Sequence, residues 1–85
     1  MPYERQITLT RMRAGQSGIV VHLQGGRGLV SRLSALGIIP GKRITKVSST
    51  LMRGPVTIEV DRARVAIGFG MASRILVQPN DESTK

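Results

Sequence analysis

Apolar residues recur along this chain at two spacings, every second residue and every third or fourth, and the changes between them mark out its elements. In residues 18–24, Ile19, Val21 and Leu23 alternate with polar or small neighbours, which predicts a strand with those three facing inward. Gly25 and Gly26 end it. From Arg27 to Leu36 the spacing becomes helical. Leu29, Leu33 and Leu36 fall at i, i+4 and i+7 with Val30 beside them, and Ser31, Ser34 and Ala35 lie opposite. Gly37 stands where a left-handed helix cap is expected, and Ile38 and Ile39 lead into the turn dipeptide Pro40-Gly41.

A second strand is predicted over residues 42–50. Ile44 and Val47 are three apart, so they share a face only across a bulge. After Gly54-Pro55, Val56, Ile58 and Val60 alternate with Thr57, Glu59 and Asp61. A tight connection at Asp61-Arg62 leads to Ala63, Val65, Ile67 and Phe69, alternating inward with Arg64, Ala66 and Gly68. Residues 70–73 read as a turn or a single helical turn. A last strand over 74–78 points Ile75 and Val77 inward. Short, evenly spaced strands with one helix predict a mainly β fold, a small SH3-like five-stranded β-barrel with one short α-helix after the first strand. The expected organisation is a flexible N-terminus (1–6), one barrel domain (7–78) and a disordered polar tail (79–85).

The chain has 85 residues, enough for one domain whose small core leaves function to the surface. It has no cysteine, which excludes disulfides, thiolate metal sites and cysteine nucleophiles. The N-terminal residues form no secretory signal, and no run approaches the ~20 apolar residues that span a bilayer. A cytoplasmic location without membrane insertion is therefore expected. Thirteen Lys and Arg face five Asp and Glu, for a formal charge of +8. All the basic residues but Lys85 lie between Arg5 and Arg74, so the positive field belongs to the domain body.

Candidate chemistry is sparse. Gly37 to Arg43 misses a Walker loop by one spacer and by the hydroxyl residue, and the stretches after Gly26 and Gly68 lack the third glycine of a dinucleotide loop. His22 is the only histidine and is read as solvent-facing. Glu59 and Asp61 share an outward strand face beside Arg62 and Arg64, an ion-paired surface rather than an acid–base pair. Tyr3 and Phe69 are the only aromatics, too few for the stacking platforms of single-strand nucleic-acid binders. No catalytic residue, cofactor site or metal-ligand set is predicted. The most metal chemistry the residues allow is a weak contact with ferrous or another divalent ion.

The order of these elements, with Gly15 and Gly18 opening it, the run Arg32-Leu33-Ser34-Ala35-Leu36-Gly37-Ile38-Ile39-Pro40-Gly41 and the turn Gly54-Pro55-Val56, resembles the ferrous iron transport protein A (FeoA) family over residues 9–77. The run looks like that family's R-L-x-x-L-G-x-x-P-G signature. The resemblance implies a non-enzymatic accessory module of ferrous iron uptake, docking on the cytoplasmic GTP-binding domain of the FeoB permease. Where the family has a charged stretch like L-R-K-x-E-A, this chain has Ile67-Gly68-Phe69-Gly70-Met71-Ala72. The alternative is a small basic β-barrel that binds RNA or DNA phosphates. For a docking surface the expectation is that Leu51 and Met52 anchor the partner while Lys42, Arg43, Lys46 and Arg53 steer it. Arg27 is expected to be exposed opposite the leucine stripe and Arg32 to flank it.

Overall fold

The computed structural model describes residues 5–48 and 54–80. Along the chain run β1 (Ile7–Thr8), a 3-10 turn (Leu9–Arg11), β2 (Ser17–Leu23), α1 (Arg27–Ala35), β3 (Arg43–Ser48), β4 (Val56–Val60), β5 (Ala63–Ile67), α2 (Phe69–Ala72) and β6 (Ile75–Pro79). The strands form one antiparallel sheet in the order β1-β6-β2-β3-β4-β5. It curls around a single core in the SH3-like manner. The 3-10 turn and α2 pack together, and the 3-10 turn also meets β6. Beyond the expected elements, the sheet gains the two-residue β1, and the helical turn starts at Phe69, which leaves the inward face it was assigned. Among the described residues no helix is long and apolar enough to cross a membrane.

The core joins Leu9 and Met12 to Val20, Leu23, Leu33, Ile38, Ile44, Val56, Ile58, Val60, Ile67, Ala72, Ile75 and Val77. β4 keeps its expected alternation throughout. Asp61 and Arg62 both adopt positive φ, 52° and 69°, as a two-residue primed hairpin turn requires. In β5 only Ile67 is buried, Val65 is half-buried and Ala63 is exposed, because β5 is the last strand of the sheet.

Two bulges change the phase of the longer strands. In β2 the register with β6 shifts between Val20 and His22, leaving Val21 as the extra residue. Val20 and Leu23 therefore face the core, and Ile19, expected inward, is 39% exposed. In β3 the register with β4 shifts between Lys46 and Ser48. The expected bulge exists, but Ile44 and Lys46 take the inward positions and Val47 is only half-buried. Gly18 is needed where β2 crosses β6, since a Cβ there would stand 2.7 Å from the Gln78 carbonyl oxygen.

Candidate functional site

The end of α1 decides which signature residues build the core and which reach the surface. The helix closes through two backbone bonds, Gly37 N–H to the Ser34 carbonyl and Ile38 N–H to the Leu33 carbonyl, each 2.9 Å. This is a Schellman closure, with Gly37 at φ +90°. Leu33 and Ile38 are fully buried and make its hydrophobic contact. Leu36, expected to share the buried stripe, sits at the cap itself and is 43% exposed.

The next turn is fastened to β2. Gly41 N–H donates to the Val20 carbonyl at 2.8 Å and Val20 N–H to the Lys42 carbonyl at 2.9 Å, while Lys42 N–H closes back on the Ile39 carbonyl at 3.0 Å. Ile39 is left 41% exposed, with Pro40 beside it also exposed. The helix end meets the β4–β5 turn: a Cβ on Gly37 would lie 3.4 Å from Val60 Cγ1 and 3.6 Å from Asp61 Oδ2. Asp61 in turn accepts from the Lys42 ammonium at 3.0 Å through both carboxylate oxygens. The outward carboxylate thus pairs with Lys42, not with the arginines adjacent in sequence. An exposed pair of this kind stabilises by about 1 kcal/mol or less.

Leu36, Ile39, Pro40 and the Lys42–Asp61 pair therefore share one surface. It continues to Arg43, which is exposed and lies opposite Ile19 across the β2–β3 pair. Arg32 is exposed one helical turn before Leu36, and Arg27 and Arg62 are exposed as well.

Lys46 does not belong to this surface. The expectation that it steers a partner is corrected by its burial: it is 3% exposed and inward on β3. Its ammonium donates to the carbonyls of Leu9 (3.3 Å), Thr10 (3.2 Å) and Met12 (2.7 Å), so its three N–H groups are used in holding the 3-10 turn to β3. Burial pulls its pKa below the ordinary 10.5. Lys42 and Arg43 are at the surface, but Lys42 is partly neutralised by Asp61. Leu51, Met52, Arg53 and Tyr3 lie outside the described residues. His22 is exposed on β2 and Phe69 is half-buried. Among the described residues no three His, Cys, Asp or Glu side chains gather where they could hold a metal ion.

The FeoA domain family model matches residues 7–79. The chain is 31% identical over 71 residues to "Putative Fe(2+) transport protein A" of Campylobacter jejuni, covering 84% of this chain and 96% of that relative. Among solved structures, an iron uptake regulatory protein (FeoA) superposes with a TM-score of 0.85 at 36% identity, over 89% of this chain and 100% of the other. A zinc-complexed FeoA of Stenotrophomonas maltophilia, described as a procaryotic SH3 domain protein, gives a TM-score of 0.75 at 22% identity, over 87% and 95% of the two chains.

Proposed function

The chain belongs to the FeoA family of ferrous iron transport, and from that premise we propose that it is a cytoplasmic, non-enzymatic accessory module that docks on the GTP-binding domain of a FeoB-type permease. The observation that carries this reading is the surface at the end of α1. Leu36 and Ile39 are large apolar side chains left exposed beside Lys42, with Arg32, Arg43 and Arg62 also exposed. An apolar centre with a cationic rim suits a partner face that is apolar in the middle and acidic around it. Leu51 and Met52, which lie outside the described residues, stay candidate anchors alongside it.

The test is binding of the full chain to the permease's soluble GTP-binding domain, measured kinetically at low and high salt. Arg43→Glu with Arg62→Glu should slow association and flatten its salt dependence. Leu36→Ser with Ile39→Ser should mainly speed dissociation, by roughly tenfold. Lys42 is left intact, because reversing it would set a second carboxylate face to face with that of Asp61. Unchanged rates in both folded variants would remove this surface from the docking site. Tighter binding to RNA than to the GTP-binding domain at physiological salt would replace the proposal with the nucleic-acid reading.

A further inference from the structure

One edge of the sheet invites an inference that does not depend on which protein docks at the end of α1. β5 is the terminal strand. Its register with β4 pairs Val60 with Ala63, Glu59 with Arg64, Ile58 with Val65, Thr57 with Ala66 and Val56 with Ile67. A two-residue hairpin turn makes the flanking pair, Val60–Ala63, a hydrogen-bonded one, and such pairs alternate along an antiparallel ladder. Ala63, Val65 and Ile67 therefore bond to β4, while the backbone N–H and C=O of Arg64 and Ala66 point to the open side. The neighbouring ladder agrees with this phase, since Glu59 and Thr57 turn their backbone the other way, toward Thr45 and Ser48 of β3.

At this edge Arg62 and Arg64 are the cations, with Glu59 of β4 opposite Arg64 and Asp61 of the turn paired to Lys42. The side chains of Arg62 and Arg64 are exposed, and neither is in an ion pair among the described residues. Ala63 and Ala66 are exposed and small. Edge arginines also discourage two like-charged copies from pairing edge to edge, and the chain's net charge of +8 adds to that repulsion. The same cations favour an incoming strand of opposite sign.

We propose that β5 is a strand-addition site for an extended segment of a partner protein that alternates acidic and apolar residues. The open amides and carbonyls of Arg64 and Ala66 hold its backbone. They lie about 7 Å apart, one repeat of the ladder. An acidic residue opposite Arg64 falls on the outer face and meets its guanidinium. The next residue of the segment turns to the inner face, beside the half-buried Val65, where an apolar side chain fits.

The probe is a fluorescein-labelled octapeptide of alternating valine and glutamate, with its valine–lysine counterpart as control. Fluorescence anisotropy should show saturable binding of the acidic peptide alone. Amide hydrogen exchange at Arg64 and Ala66 should slow on binding, while Val65, already bonded to β4, changes little. Ala66→Pro removes an N–H that the native ladder does not use, so the fold tolerates it, and it should weaken binding by roughly tenfold or more. Arg64→Glu should weaken binding roughly three- to tenfold and decides the matter should the proline variant fail to fold. Absence of saturable binding, binding without protection of the two amides, or undiminished binding to folded Ala66→Pro would each overturn the proposal. None of these results alters the kinetics at the GTP-binding domain, so failure here is distinct from failure of the docking surface.

Discussion

Replacing Lys46 by methionine keeps an unbranched side chain of similar reach and removes the ammonium with its three N–H groups. The carbonyls of Leu9 and Met12 accept from it in buried surroundings, and that of Thr10 in a half-buried one. The Leu9 carbonyl keeps the Met12 N–H as a donor at 3.1 Å, so one buried acceptor, the Met12 carbonyl, is left without a donor, at about 1–3 kcal/mol, whereas the Thr10 carbonyl can turn to water. Against this stands the relief of no longer burying an ammonium. That relief is smaller than the several kcal/mol of an unsatisfied buried ion, because three carbonyl dipoles already replace its hydration. The expected balance is a loss of about 1–2 kcal/mol. Urea unfolding followed by far-ultraviolet circular dichroism measures it. The pH dependence gives an independent check. Burial lowers the native pKa below 10.5, so between that lowered value and 10.5 the unfolded chain binds more protons than the native one. Stability from this group therefore rises with pH across that window; it is fully present above 10.5 and lost as pH falls through the native value. The methionine variant lacks this slope, so the gap between the two proteins should widen as the pH approaches 10.5. A variant as stable as its parent at neutral pH would refute the assignment of Lys46 as the clamp on the 3-10 turn, and a gap that stays constant up to 10.5 would refute the lowering of its pKa by burial.

Leu33→Ala should lower stability by about 2–5 kcal/mol, since Leu33 is fully buried and is the side of the Schellman contact that α1 supplies; an unchanged melting temperature would show that the helix does not pack as described. Gly37→Ala should cost about 1–2 kcal/mol from the backbone alone, because φ is +90° and the nearest side-chain atom, 3.4 Å from the added Cβ, is an ordinary contact; a loss well above this in thermal melts would point to a clash with Val60 instead.

What was legible in the sequence follows from where the sheet is regular. β4 keeps strict alternation, has no bulge in its pairing with β5 and ends on a two-residue turn, so its inward residues could be read directly. The helix and its cap were also legible, because Gly37 needs a conformation that other residues avoid. β2 was misread for a local reason. Its extra residue is Val21, a β-branched residue that suits a strand whether or not it is a bulge, so nothing in composition marks the change of phase. Lys46 was misread for a distant one. It faces inward because three carbonyls await it, and these lie 34 to 37 residues earlier in the chain, out of reach of any pattern of neighbours.

The candidate site was obscured by the same helix ending that made the helix easy to find. Counting by helical spacing gives Leu29, Leu33 and Leu36 one buried stripe, but that count holds only while the helix continues. Here α1 stops at Ala35, and the chain reverses at Gly37 so that Ile38 comes back onto Leu33. Ile38 thereby takes the place on the core that a further helical turn would have given to Leu36. A helix ended by this closure needs one apolar residue beyond the glycine and leaves the one before it free. The signature run thus divides by position: Leu33, Gly37 and Ile38 build the corner, and Leu36 and Ile39 project from it. The exposure of Leu36 and Ile39 is therefore a consequence of how the corner closes. Because the turn is fastened to β2 through Val20 and meets Asp61 across Gly37, these side chains stand on backbone fixed from two sides. A partner that covers them gains apolar contact without first having to order a loop.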